Sequence, residues 1–534
     1  MHVFIKDYKK NELNVVTQAG NLVSVCNLFE VGKVVLPMNL NEEYETRVLI
    51  HPVGNHKYIT DFYITMSQLA DPSALTRRFY NNMIIFSSYW TDCVQEYIQQ
   101  EVAEALKKGN YIYHTGIIGW QNIPNVPKKE FILDELNHNG IKIQYYDSNL
   151  LFKKGTQEKQ IDFIINQVIP HKETRLAMVL GLSSVVASYL EQFKSIGTLV
   201  INVCGKSSTG KSTIAELSAS FFANPETSNY GLVRTFNATK NFIFAMSEGR
   251  CGIPIILDDA NTNSSEHNKS DLIYQFVMSE PKGRCLSNGT AQQKRNGWSG
   301  IVLLTSESPF LNSEKISTGA KARCITLDSI PWTVSADHSE KIKFGVRDNY
   351  GHIGFDFAKY VASVEVQLLL DKHNQYSDLI YSKMKFRDSL SRRISSKLAV
   401  IALTAEFIKA YNPQFNIDID ETINQLVEAE QKSVDTRDIS AAAFELLVGY
   451  IYQKKSHFCT YVKREHGEQF VNCTKESSGD TYGMYYYNRD TRESYIYILK
   501  SIFDKFLYEY GITEGSTVLQ DWKSKRIDNS RRWA

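Results

Sequence analysis

Residues 201–213 read Ile-Asn-Val-Cys-Gly-Lys-Ser-Ser-Thr-Gly-Lys-Ser-Thr, and from Gly205 to Ser212 they have the spacing GxxxxGKS. A loop of this kind can close its backbone N–H groups, from Gly205, Lys206, Ser207, Ser208 and Thr209 through Gly210, Lys211, Ser212 and Thr213, around a polyphosphate. Lys211 can reach the outer phosphates, and the Ser212 hydroxyl can hold magnesium. A short apolar run, Thr198 to Cys204, precedes the loop, and a helix-like stretch, Ser212 to Phe222, follows it. The anion would then lie at a helix N-terminus, where aligned peptide dipoles add partial positive charge. The motif implies a nucleoside triphosphate, ATP, bound with Mg2+.

Further along, Ile253-Pro-Ile-Ile-Leu-Asp258-Asp259 is an apolar run that ends in two acids. Ligands of α/β sheets collect at the C-terminal ends of the strands, which puts Asp258 in reach of the magnesium. Asp259 stands where a general base would activate the attacking water, although a glutamate is commoner there and Asp is one methylene shorter. A solvated Asp pair at a strand end is the plainer alternative. The next run, Gly300-Ile-Val-Leu-Leu-Thr305, ends in Thr305-Ser306. A hydroxyl there sits between the two motifs and can orient the water or sense the terminal phosphate; otherwise it caps a turn. Arg323 opens a third run, ending at Asp328, where an arginine can project into a neighbouring subunit and neutralise phosphoryl charge, or else form a surface ion pair. Arg392 and Arg393 begin a long helical stretch, and Arg393 is a candidate second phosphate sensor.

Residues 282–298 carry Asn-Gly turn signals at 288–289 and 296–297, which predict a hairpin bearing Lys294 and Arg295. Projected into a pore, these cations would grip a phosphate backbone without reading sequence. A solvated basic loop is the alternative.

These groups need elements to position them. From about Leu199 to Asp328 short apolar runs alternate with crossovers, which predicts an α/β core with a parallel sheet covered by helices on both faces. Residues 1–150 are strand-rich around one amphipathic helix, Tyr89 to Lys108, and form an N-terminal α+β domain. The ATPase core spans 151–330. Residues 331–435 are helical, with clear stretches at Phe355–Asp371 and Ser389–Tyr411. Residues 436–534 mix a helix (Ser440–Gln453), Tyr-rich strand-like pieces, and helices at Ile496–Tyr510 and Ser516–Lys525. A formal net charge of +1 means that any grip on DNA must be local. A basic C-terminal cluster, Lys523 to Arg526 and Arg531-Arg532, reads first as a solvated tail. There is no run of about 20 apolar residues and no signal-type N-terminus, which predicts no membrane partner. Eight cysteines without CxxC pairs fit a reducing, cytoplasmic setting. His457, Cys459, His466 and Cys473 share one stretch, but their spacing is not a familiar zinc pattern.

The order of motifs resembles a domain-of-unknown-function group of helicase-like ATPases from phages and genomic islands. The match runs through Gly205–Thr213, Phe236-Asn-Ala-Thr239, Leu257-Asp-Asp259, Lys282-Gly-Arg284, Trp298, Leu304-Thr-Ser306 and Arg392-Arg393, with Gly119-Trp120 upstream. Within that group the chain looks most like the self-loading replication initiator helicases of staphylococcal cassette chromosomes and pathogenicity islands. The resemblance implies an AAA+ P-loop ATPase of the pre-sensor-2-insert clade, related to the MCM helicases. It implies a homo-hexameric ring that translocates 3′-to-5′ on single-stranded DNA held in its pore. It also implies a helical lid with the insert over 331–435, repositioned so that Arg392 or Arg393 acts on the neighbour's site. Finally, it implies a winged-helix-like domain over 436–534 that would meet origin duplex. A loader, defence or DNA-bound regulatory ATPase without unwinding activity remains the alternative. Two features depart from the family: Asp259 replaces its usual glutamate, and the last hundred residues match no motif.

Overall fold

A computed structural model describes residues 2–524 apart from 39–44, 54–59, 124–125, 139–140, 146–149, 261–265, 281–295, 312–317, 386, 388–389, 438, 465–466, 471–479, 489–491, 493, 511 and 513–514. Lys294 and Arg295, the predicted pore hairpin, and His466 and Cys473 of the zinc alternative lie outside the described residues. So does the basic tail beyond Ser524.

The phosphate loop hangs from a sheet of β1 (Leu199–Cys204), β2 (Val233–Thr235), β3 (Ile255–Asp258), β4 (Ile301–Ser306) and β5 (Cys324–Asp328). Among the described residues the order is β2-β3-β4-β1-β5, and every pairing is parallel. All five C-terminal ends therefore meet at one edge. Side chains alternate between the two faces, as a pleated strand requires. Leu199, Ile201, Val203, Ile256, Leu303 and Leu327 enter one core, and Val200, Leu257, Val302, Leu304 and Cys324 enter the other. The first face is covered by α1 (Lys172–Leu190) and α2 (Lys211–Ser220), the second by α3 (Lys240–Ser247) and α4 (Glu266–Met278). A sheet buried on both faces explains why its strands read as continuous apolar runs rather than alternating ones.

After β5 come α5 (Ala336–Asp348), α6 (Ile353–Ser363), α7 (Val366–Lys383) and α8 (Ser391–Tyr411). The single helix expected over Phe355–Asp371 is two, because Val364 and Glu365 adopt extended backbone. That break lets α6 pack on α1 while α7 pairs with α8.

The N-terminal strands surround the helix Thr91–Lys107 and keep their own core, including Leu28, Phe29, Phe79 and Tyr97. Ile118, Trp120, Phe131 and Leu133 instead pack into the core of the parallel sheet. Gly119 has φ +99°, and a Cβ there would lie 1.8 Å from the Cys251 carbonyl oxygen, so a side chain is excluded. Its neighbour Trp120 is buried and donates Nε1–H to the Val185 carbonyl (3.0 Å). Gly119-Trp120 is thus a docking point of the N-terminal segment on α1.

The C-terminal segment has a separate core around Leu447, Tyr450, Phe506 and Trp522. Among the described residues one helix (Ile439–Gln453) leads into a sheet whose central strands, Phe458–Arg464 and Gly483–Asn488, run parallel. Two helices, Lys500–Glu509 and Gly515–Ser524, follow. The expected winged helix would interleave helices with its strands; here the strands come together between one helix and two. The helix expected over Ile496–Tyr510 starts only at Lys500, because Ser494–Ile498 is a strand, and its Ser-Tyr-Ile-Tyr-Ile run has the β-branched and aromatic bias of one. No helix among the described residues is long and apolar enough to cross a membrane.

Candidate active site

Gly210 caps α2 with φ +88°, and a Cβ there would come within 2.8 Å of the Thr333 side chain. Glycine is therefore required both by backbone geometry and by the segment packed over it. That segment, which leaves β5, is bonded to the loop at two points: Ser329 N–H donates to Cys204 O (3.0 Å) and Trp332 N–H to Thr209 O (2.9 Å). Ser208 holds φ +64°, an uncommon conformation for a residue with a side chain, inside an otherwise exposed loop. The Lys211 ammonium donates to the carbonyls of Gly205 (2.9 Å) and Lys206 (2.8 Å), so it already lies across the concavity where phosphate oxygens would sit.

β4 lies between the loop strand β1 and the acid strand β3, and this brings Thr305 to the centre of the edge. Ser212 Oγ donates to Asp258 Oδ1 (3.1 Å), and Thr305 Oγ1 donates to the same oxygen. Thr305 Oγ1 in turn accepts the Asp259 N–H (2.9 Å). Asp259 is exposed and held at φ +58°, so its short side chain is set by a fixed backbone rather than by strand geometry. Ser212 and Asp258 offer hard oxygen donors side by side at the loop, a set that suits Mg2+, which takes one or two protein oxygens and completes its shell with phosphate and water.

Arg323 is at the other end of the sheet. It precedes β5, where Cys324 pairs with Val200, whereas Gly205 follows Cys204, which pairs with Asp328. The offset of about six residues along a strand is roughly 20 Å, beyond the span of one arginine side chain. Arg323 donates to Gly319 O (2.8 Å), and its guanidinium lies over the Tyr274 ring (4.8 Å to the centroid). Two candidate arginines of α8 part company: Arg392 is paired with Asp378 (2.5 Å) and lies over Tyr381, while Arg393 is exposed with no ion pair or hydrogen bond among the described residues. The structure thus brings Lys211, Ser212, Asp258, Asp259 and Thr305 together and leaves Arg323 and Arg393 outside that group.

On either side of residues 281–295, Trp298 N–H donates to Ser279 O (3.1 Å). Trp298 is buried, stacks on Phe244 (5.6 Å) and donates to Phe276 O (3.0 Å). Ser279 and Trp298 are therefore held together beside the N-terminal end of β4.

Several supporting residues escape sequence reasoning. Thr213 and Ser339 hydroxyls meet at 2.6 Å, and Glu216 takes a two-pronged ion pair from Arg347 (2.7 and 2.9 Å), so α2 is clamped to α5. Burial raises the Glu216 carboxyl above its usual range, although Arg347 pulls it down. Buried Asn202 on β1 donates to Ser306 Oγ (2.8 Å) and accepts the Phe310 N–H (2.8 Å), tethering the turn after Thr305. A lone Asn inside an apolar strand was the available signal. Burial, followed by Asp328, which accepts its S–H (3.2 Å), pushes the Cys204 thiol far up and leaves it unreactive.

A family model described as "Domain of unknown function (DUF927)" matches residues 38–296. Comparison with curated proteins finds no match. A solved structure described as "SCCmec type IV Cch - active helicase" aligns over 99% of this chain and 95% of that one, with 20% identity and a TM-score of 0.78. Another, "The A form apo structure of NrS-1 C terminal region-CTR", aligns over 73% and 87% with 12% identity and a TM-score of 0.24, too low to bear on the fold. The resemblance carried by the motifs holds for the fold: this chain has the architecture of the Cch helicase structure.

Proposed function

We propose that this chain, sharing the fold of Cch, is an AAA+ ATP hydrolase that works as a ring of identical subunits, a homo-hexamer by the family resemblance, and unwinds DNA. The observation that carries the reading is the division of the site: Lys211, Ser212, Asp258 and Thr305 meet at one edge of the sheet, while Arg323 starts an edge strand roughly 20 Å away. An arginine that cannot reach its own loop can serve the loop of a neighbouring copy. The intercalation of β4 between the loop strand and the acid strand supports the same reading.

In this mechanism the loop amides and Lys211 hold the triphosphate, and Ser212 and Asp258 would hold Mg2+, which would supply charge neutralisation to the phosphates. Thr305 fixes Asp258 and the Asp259 backbone together, and can orient a water in line with the terminal phosphate. Asp259 takes the water's proton, directly or through a second water, because its carboxyl is one carbon short. Arg323 of one copy, with Arg393, stabilises charge on the transferring phosphoryl group in the next. Lys294 and Arg295 grip the phosphates of a single strand in the pore, and residues 436–534 are the candidate contact with origin duplex. The cytoplasm of a cell carrying a mobile element is the expected setting, and a replication initiator the expected role.

Unwinding of tailed duplexes, with ATPase measured with and without single-stranded DNA, tests the reading. Unwinding should need a 3′ tail and be lost in Lys294→Ala/Arg295→Ala with ATP binding intact. ATP hydrolysis without any unwinding would favour a loader or regulatory ATPase instead.

A further inference from the structure

A cavity of about 510 Å3 lies in the N-terminal segment, within the size range of small-ligand sites. Residues 10–12, 24–27 and 85–87 line it, together with Trp90. The first stretch belongs to the turn between the strands Val3–Asp7 and Glu12–Val16. The Asp7 carboxylate accepts the N–H groups of Lys9 and Lys10 (3.0 Å each), and the Asn11 carbonyl accepts the Leu28 N–H (3.0 Å). The turn is therefore fixed, and both lysine side chains are left exposed. Asn11 holds φ +56°, and its Oδ1 is enclosed without a hydrogen-bond partner among the described residues. An acceptor in that state costs free energy until a donor reaches it. Glu12 beside it lines the cavity with a carboxylate. The opposite side is aromatic. Phe86 forms a single bridge to Cys26, and the short turn Ser88–Trp90 follows. Tyr89 is 79% exposed and meets the half-buried Trp90 ring edge-on (4.9 Å between centroids, 82°). A ring so exposed adds little apolar burial to the fold.

We propose that this cavity binds one unpaired base of single-stranded DNA, stacked against Tyr89 and Trp90, with Asn11 and Glu12 accepting from its amino group and Lys9 and Lys10 on the flanking phosphates. This rests on the DNA reading above, and not on the ring. Exposed aromatic rings, hydrogen-bonding side chains and exposed cations on one rim are the groups that hold an unstacked base and its backbone. In a duplex both the face and the pairing edge of the base are already taken, so the site selects single strands. The acceptors also select among bases. Cytosine and adenine carry an exocyclic amino group that can donate to Asn11 Oδ1, once the amide turns outward, and to the Glu12 carboxylate. Thymine has no amino group, and its carbonyl oxygens would face the Glu12 charge. The cavity is thus a second grip on the strand, with a base preference that a phosphate contact in the pore lacks.

Fluorescence anisotropy of short labelled oligo(dC) and oligo(dT) on the full chain, without ATP, tests this. The background is Lys294→Ala/Arg295→Ala, which removes the proposed pore contact. In it oligo(dC) should bind about fivefold or more tighter than oligo(dT). Tyr89→Ala should weaken oligo(dC) by roughly fivefold or more, the scale of one lost base stack, with melting temperature and ATPase unchanged. Glu12→Gln should erase the preference, because an amide both donates and accepts. Lys9→Ala/Lys10→Ala should weaken both oligonucleotides alike and lower the slope of log affinity against log salt by about one. Equal binding of the two oligonucleotides overturns the proposal, and so does an unchanged oligo(dC) affinity in Tyr89→Ala. Equal competition by a duplex of the same length also overturns it, because that marks a backbone contact alone. Unwinding separates the two failures. A chain that hydrolyses ATP without unwinding, yet binds oligo(dC) through Tyr89, loses the helicase reading and keeps the cavity. A chain that unwinds, with Tyr89→Ala binding like its parent, loses only the cavity.

Discussion

At the C-terminal edge of the parallel sheet the polar groups satisfy one another: Ser212 and Thr305 share an oxygen of Asp258, Thr305 holds the Asp259 amide, and Lys211 rests on loop carbonyls. At the N-terminal edge Arg323 has a single carbonyl and an aromatic face. The first edge is a cradle that one chain completes alone. At the second, Arg323 lies too far from the loop of its own chain to reach a phosphate held there. The contrast teaches that the polar groups of the loop edge are complete within one chain, whereas Arg323 stands about six strand residues away from them.

The sharpest way to break the contrast is to disable each edge in turn. Lys211→Ala should abolish nucleotide binding, read by titration with a fluorescent triphosphate; wild-type turnover in that variant would remove the loop from the mechanism. Arg323→Ala should lower hydrolysis by about 10³-fold, the scale of other arginine fingers, while binding is preserved. Mixed with Lys211→Ala it should regain activity, and failure to do so would return Arg323 to its own subunit. Thr305→Val keeps the shape of the strand end but removes the hydroxyl that ties Asp258 to the Asp259 amide, and kcat should fall roughly ten- to a hundredfold with ATP affinity little changed. An equal loss of affinity would mean that Thr305 serves the cradle rather than the water.

The smallest effect should be on stability. Arg347→Met strands the buried Glu216 and should cost about 2–3 kcal/mol at neutral pH, below the loss for a fully buried pair because Arg347 is itself partly exposed. Glu216 already has its carboxyl raised by burial, so its folded-state pKa lies above the unfolded one. A raised pKa contributes stability that is present at low pH and lost as pH rises through the folded value. Without Arg347 that pKa climbs further, and the destabilisation should shrink as the solution is acidified through the carboxylate range. Chemical denaturation at several pH values checks the sign.

The loop, the acid strand and the run before Thr305 were legible because each is a local pattern: a fixed glycine spacing, or a short apolar run ending in a polar residue. The break at Val364–Glu365 was not, since no Pro or Gly marks it and the demands of α1 and α8 create it. The clamp between Glu216 and Arg347 joins residues 131 apart, a separation that no periodicity encodes.

By itself, then, the sequence determined which side chains could bind a triphosphate and where the strands of the parallel sheet lie, because spacing and hydrophobic period are written along the chain. Only the tertiary structure decided that β4 inserts between β1 and β3, which sets Thr305 beside Asp258 and leaves Arg323 at the far edge. Strand order is a choice among non-local pairings that bury similar apolar surface, and the covering helices decide it, not any residue pattern within a strand.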